Sequence, residues 1–177
     1  PVRPLEIIAL DSGSTDGSLR LLTQHGAQVL AQEGPFDWGE ARERLFTAAQ
    51  GEIIACLSQD AIPARADWLE NLIRPLSEAG VGAACGSSIP DPERTYLQFP
   101  WERNGYFYFT REMWRYAARH GRGMSFANAA VLRSVWEQIH FNSQILGEDF
   151  QFQIKLEKVG LRVAFPPNAA VLHHHTY

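Results

Sequence analysis

Leu57-Ser58-Gln59-Asp60-Ala61-Ile62-Pro63 is the stretch on which the reading of the chain turns. It closes the apolar run Ile53-Ile54-Ala55-Cys56-Leu57, whose length and continuity predict a buried parallel strand. A polar turn with one carboxylate follows, then Pro63 and a helix-like segment carrying Asp67, Trp68 and Leu69. Open α/β sheets bind ligands just beyond the carboxyl ends of their strands, which is where Asp60 falls. An aspartate at such a place is, taken alone, more often a turn or cap residue, so the neighbouring segments have to decide.

Upstream, residues 5–10 read as a strand. Asp11-Ser12-Gly13-Ser14-Thr15-Asp16-Gly17-Ser18 reads as the turn after it, small enough for the backbone to approach a ligand, with Thr15 or Asp16 placed to cap a helix. Leu19, Leu21 and Leu22 mark that helix, Gly26 stops it, and residues 27–31 form a second strand. After a loop over 32–38, residues 39–50 are expected to be helical with Ala41, Leu45, Ala48 and Ala49 inward. Arg42 lies in the first turns, where a positive charge gains nothing from the helix dipole; it is either solvated or set to meet an anion. This alternation of strand and helix implies a parallel sheet with helices on its faces.

Downstream, Trp68, Leu69, Leu72, Ile73 and Leu76 recur at helical spacing, with Pro75 expected to kink or divide the helix, and residues 81–85 form another buried strand. Residues 87–123 break the alternation. They hold Trp101, Tyr106, Phe107, Tyr108, Phe109, Trp114 and Tyr116 without a clean period, either as satellite core or as aromatic faces for a sugar ring or apolar acceptor. Residues 125–132 read as a strand with Asn128 as its one strongly polar member, and residues 134–139 as a short helix. Gly147-Glu148-Asp149-Phe150 then opens a helix that Gly160 stops. Acids at a helix N-terminus are stabilising in themselves. Adjacent helical residues diverge by about 100°, so one of Glu148 and Asp149 is expected to face a cleft. A last strand over 169–172 runs into His173-His174-His175-Thr176-Tyr177, where His173 and His175 share one face of extended backbone.

The 177 residues, 45% apolar and 20% charged, suit one globular domain with a real core. A net charge of −4 and a pI near 5.9 argue against a nucleic-acid partner. Cys56 and Cys85 lie in apolar runs and read as small buried hydrophobes of a reducing compartment. No apolar run reaches the roughly 20 residues of a membrane span, and no signal peptide opens the sequence, so a soluble domain is expected.

Together these segments resemble glycosyltransferase family 2, the inverting sugar-nucleotide enzymes of the GT-A fold. The likeness covers nearly the whole chain. Asp11 to Ser18 is similar to the family's second-strand signature, whose aspartate reads the nucleotide base. Phe36-Asp37-Trp38-Gly39-Glu40-Ala41-Arg42 resembles the segment whose arginine faces the nucleotide, with Glu43 where an asparagine is usual. Ser58-Gln59-Asp60 occupies the place of the metal-binding Asp-x-Asp motif, keeping only its second acid, and Gly147-Glu148-Asp149 resembles the Glu-Asp motif that heads a helix. Ser-Gln-Asp-Ala-Ile-Pro, Ser125-Phe126-Ala127-Asn128-Ala129 and the His-rich ending are similar to the rhamnosyltransferase members. The family's opening strand, ending Pro-Thr-x-Asn, and its helix have no counterpart here, so a truncated chain or a partner supplying that piece is expected.

The resemblance implies an α/β GT-A fold: a mostly parallel, Rossmann-like central sheet in one domain, with residues 1–86 as the nucleotide-sugar half and 87–177 as the acceptor and catalytic half. It implies that Asp11, Ser14, Arg42, Gln59 and Asp60 hold a nucleotide-diphosphate sugar, and that Asn128 and Trp101 meet a glycan or lipid-linked acceptor. Asp149 would be the catalytic base, aided by Glu148. Asp60 with His173 and His175 would bind Mg²⁺ or Mn²⁺, since oxygen ligands and phosphates suit hard ions. A cytoplasmic location is expected, with peripheral association at the inner face of the membrane. A non-catalytic sugar-nucleotide or glycan-binding module is the competing reading. A nucleotidyltransferase fits less well, because a Gly-rich, Lys/Arg-bearing opening for a triphosphate is not visible.

Overall fold

In the computed structural model, residues 6–90, 111–143 and 146–173 are described. The first apolar runs form a parallel pair, β1 (Ile8–Asp11) and β2 (Gln28–Ala31), joined by α1 (Ser18–Gln24). α2 (Trp38–Ala48) follows, capped by the Asp37 carboxylate, which accepts from the Glu40 amide at 2.8 Å.

The central sheet contains β3 (Ile53–Leu57), β5 (Val81–Cys85), β7 (Asn128–Leu132) and β8 (Arg162–Ala164) in the order β3-β7-β5-β8. β7 is antiparallel to β3 and β5, and β8 is parallel to β5; three strands therefore share one direction and β7 alone opposes them. A third sheet has the order β4-β9-β6, from β4 (Ala61–Pro63), β9 (Val171–His173) and β6 (Ser88–Pro90).

Alternation along β7 splits the core into two layers. Ala129 and Val131 join Phe46, Phe126, Trp136, Phe141 and Phe152 on one face, while Ala130 joins Leu72, Leu76, Ala84 and Ala164 on the other. The small residues of β5 and β7 let the flanking helices close on the sheet. These helices are α3 (Trp68–Ile73), α5 (Arg133–Ile139) and α6 (Glu148–Lys158). Pro75 divides the Trp68–Leu76 segment as expected: α3 ends at Ile73 and a 3₁₀ turn, Arg74–Ser77, completes it.

Three expectations need correction. The run Ile53–Leu57 is neither buried along its length nor paired in parallel: its hydrogen-bonded neighbour is the antiparallel β7, and Ile53 and Leu57 are 36% and 39% exposed. Among the described residues its other edge has no strand partner. A groove of about 540 Å³, lined by Glu6, Ile8, Phe46 and Ile54 among others, runs between β1 and β3 there. Ala61-Ile62-Pro63, where the sequence reading placed no strand, is a strand held by β9 from the far end of the chain. Within the aromatic-rich stretch, residues 111–120 form a helix, α4. No helix of the described residues is long and apolar enough to cross a membrane.

Candidate active site

The site is built around the segment that enters β7. Leu57, the last residue of β3, is paired with Asn128, so the Ser58–Asp60 turn begins beside residues 125–128. The Ser58 amide donates to the Ala127 carbonyl at 3.3 Å. The next amide back, that of Phe126, donates to Asp149 Oδ1 at 3.2 Å. The turn and the head of α6 thus meet adjacent residues of this segment, Ala127 and Phe126.

At the turn, the Ser58 hydroxyl donates to Asp60 Oδ1. His173 Nε2 lies 3.2 Å from the same oxygen, because β4–β9 pairing sets His173 opposite Ala61. Burial alone would raise the Asp60 pKa; the bonds from His173 and Ser58 outweigh it and hold the carboxyl at about 2. The group is therefore ionised throughout the physiological range. Gln59 is exposed at the tip of this turn.

At the other side, Gly147 enters α6 with φ 84°, a left-handed value that suits a residue without Cβ. The two acids that follow diverge as helical geometry requires. The Glu148 side chain is 7% exposed and accepts from Arg42 Nε at 3.0 Å, while Asp149 is 28% exposed with Arg42 Nη2 at 3.7 Å. Burial raises the Asp149 pKa to about 6, with the Glu148 charge adding to the rise and Arg42 and the Phe126 amide opposing it. A carboxyl titrating there is suited to accept a proton near neutral pH.

Arg42 is 8% exposed, with its guanidinium 5.0 Å from the centre of the Phe126 ring and 5.5 Å from that of Trp38. The anions it meets among the described residues are therefore the acids of α6. Its partners lie 106 and 107 positions away in the sequence, which no local pattern could reveal.

Asp11 ends β1 and accepts from the amides of Gly13 at 2.8 Å and Ser14 at 3.1 Å. The Ser14 side chain, then the Gly13 amide, lower its pKa. Ser14 itself is exposed. α2 ties this end of the small sheet to the acid pair, since Arg44 Nη2 donates to the carbonyl of Ala31, the register partner of Asp11, at 2.7 Å.

Asn128 is a correction. It is 1% exposed; Nδ2 donates to the carbonyls of Ser87 at 3.1 Å and Ala169 at 2.8 Å, and Oδ1 accepts from Trp68 Nε1 at 2.9 Å. Its amide is spent on the protein, so it clamps α3, β7 and the flanking loops instead of meeting an acceptor. Trp101 and His175 lie outside the described residues. The hydroxyl of Ser58 and the backbone of Phe126 were missed, although the serine two residues before Asp60 was a readable signal for the first.

For a divalent ion, Asp60 and His173 offer one ionised oxygen and one imidazole nitrogen. No group of three or more His, Cys, Asp or Glu side chains able to hold a metal occurs among the described residues. Asp60 and His173 are therefore two candidate ligands and fall short of a protein-only metal site among the described residues.

A mixed sheet with an ionised acid at its carboxyl edge and a helix-borne acid pair beside it defines a protein of the GT-A fold. Solved structures with that fold overlay the chain. The mannosyltransferase PcManGT of Pyrobaculum calidifontis, in complex with GDP-Man and Mn²⁺, aligns with a TM-score of 0.70 at 22% identity, over 95% of this chain and 47% of its own. Glucosyl-3-phosphoglycerate synthase of Mycobacterium tuberculosis, in complex with Mn²⁺, UDP-glucose and phosphoglyceric acid, aligns with a TM-score of 0.68 at 20% identity, over 98% of this chain and 62% of its own. Residues 1–139 match glycosyl transferase family 2, and the chain belongs to that family. The O-antigen chain rhamnosyltransferase RfbN of Salmonella typhimurium strain LT2 is 27% identical over 99% of this chain, and WbaN of Salmonella anatum, with the same description, 26% identical over 99%. The chain spans 59% and 58% of the lengths of these two relatives.

Proposed function

We propose that this chain carries the catalytic apparatus of an inverting glycosyltransferase, moving a sugar from a nucleotide-diphosphate donor to a hydroxyl of a glycan acceptor, with rhamnose as the first candidate sugar. The observation that carries this reading is the placement of two unlike carboxyls by adjacent residues: Asp60, bonded to Ser58 and His173 in the turn whose Ser58 amide meets Ala127, and Asp149, set beside Glu148 and Arg42 and accepting from the Phe126 amide. Environments that push two acids apart in this way assign them different roles. Asp149 takes the proton of the acceptor hydroxyl as its oxygen attacks the anomeric carbon, and the sugar–phosphate bond breaks on the opposite face. Arg42 holds Glu148 and Asp149 in place. Asp60 and His173 would hold a divalent cation, which supplies charge neutralisation at the departing diphosphate. Asp11, with Ser14, is assigned to the nucleotide base, and Gln59 to the donor. The Mn²⁺ and nucleotide sugars named with the two solved structures, and the family of the two Salmonella relatives, support the same assignment.

A thermal-shift panel of nucleoside diphosphates and nucleotide sugars, with and without Mn²⁺, tests it. At least one nucleotide should stabilise the chain, more so with Mn²⁺; a ligand at 100 times its Kd adds about 2.7 kcal/mol. If none stabilises it in either condition, the reading fails.

A further inference from the structure

The position after Arg42 has no part in the chemistry above, yet it is among the best-connected carboxylates in the fold. Glu43 Oε2 accepts from Trp136 Nε1 and from the Phe141 amide, both at 2.9 Å, and Oε1 lies 2.7 Å from His140 Nδ1. All three partners belong to the end of α5 and the connection that leads into α6. His140 stands there with φ 46°, a left-handed backbone that a residue with a side chain seldom adopts, so something must hold it. Two other groups grip the same connection. Asp37, the cap of α2, accepts from the Ser143 hydroxyl at 3.0 Å. Lys155 Nζ, from α6 itself, donates to the carbonyls of Ile139 at 3.0 Å and His140 at 2.8 Å and to Asn142 Oδ1 at 2.8 Å.

We infer that Glu43 is a positioning residue for the catalytic acid pair: by fixing the α5–α6 connection to α2, it sets where Glu148 and Asp149 stand relative to Arg42. Arg42 and Glu43 are neighbours on one helix and point about 100° apart. One holds the acids directly and the other holds the chain that delivers them, so α2 and α6 cannot shift independently. Displacing a reacting group by about 1 Å can cost on the order of a hundredfold in rate. This inference rests on the catalytic reading of Asp149.

The test compares Glu43→Gln, which keeps an acceptor for Trp136 or Phe141 but loses the charge facing His140, with Glu43→Ala and with Asp149→Asn. Each is assayed for sugar transfer from the nucleotide sugar that gives the largest thermal shift. Both Glu43 variants should lower kcat by about 10- to 100-fold while leaving the donor KM within about twofold. The acid limb of the rate profile should move from near 6 toward the ordinary carboxylate range, because a loosened α6 admits water to Asp149, whose other charged and titratable neighbours are Arg42, Glu148, Cys56 and Cys85. If Glu43→Ala fails to fold, Glu43→Gln carries the test. Failure of both to fold assigns Glu43 a purely structural part and overturns the inference. It is equally overturned if a folded Glu43→Gln keeps kcat and acid limb unchanged while Asp149→Asn is inactive. Full transfer by Asp149→Asn would instead overturn the catalytic reading, and this inference with it.

Discussion

Asp60 and Asp149 have the same side chain and opposite acidities, and the difference is written in their neighbours. His173 and Ser58 stabilise one carboxylate; burial and the Glu148 charge penalise the other. Below about pH 6 Asp149 carries its proton and cannot accept another, so transfer should fall on the acid side with an apparent pKa near 6. Stability responds with two signs. The raised Asp149 pKa means that the native state binds the extra proton between about pH 4 and 6, so this residue's contribution is fully present below that window and is lost as pH rises through it. The depressed Asp60 pKa works oppositely: its contribution is present above about pH 4 and is lost as pH falls toward 2. Urea titrations across pH should show Asp149→Asn flattening the first slope and Asp60→Asn the second. Both aspartates stood out in the sequence because each lies at the boundary of an element, Asp60 in the turn after β3 and Asp149 in the first turn of α6. The partners that tune them were not, since Phe126 and Arg42 reach Asp149 from remote parts of the chain.

At the scale of elements, α2 acts as a bracket: Asp37, Arg42 and Glu43 grip the far half of the chain, and Arg44 grips the end of β2. Asn128 does the same for β7. Its replacement by Ala leaves the Trp68 indole N–H and the Ala169 carbonyl without this partner, while the Ser87 carbonyl keeps the Val171 amide, and each buried polar group so orphaned costs about 1–3 kcal/mol. Denaturant unfolding of Asn128→Ala should therefore show a loss of about two such increments, with catalysis by the remaining folded fraction little changed. Loss of acceptor affinity without loss of stability would restore the role read from sequence. A polar residue in a buried strand looks the same in sequence whether it faces a ligand or a carbonyl, and only the fold distinguishes them. The same holds for Ala61–Pro63, whose strand character comes from pairing with β9, about 110 residues on, and for β3, whose apolar run suggested burial that the groove beside it does not provide. Segment order and the positions of the helices other than α4 were legible because their apolar periodicity is local, whereas residues 111–120 show no clean period.

For the whole molecule, the edge of β3 that has no strand partner among the described residues predicts an uneven pattern of amide exchange. β7, buried between β3 and β5, should exchange slowest, while alternate amides of β3 that face the groove should exchange rapidly. Uniform protection of β3 would show that something seats against that edge in solution. The two halves of the chain interleave in the sheet, β7 lying between β3 and β5, so the Ser58–Asp60 turn and the head of α6 reach adjacent residues, Ala127 and Phe126, through the fold and not by sequence proximity. The most direct test of the claim that they form one catalytic centre is the Asp149→Asn substitution, with sugar transfer and donor affinity measured on the same preparation. Transfer should fall by about 10²- to 10⁴-fold while the Kd for the nucleotide sugar stays within a few-fold. Unchanged transfer, or loss of donor binding in step with activity, would contradict a base at that position.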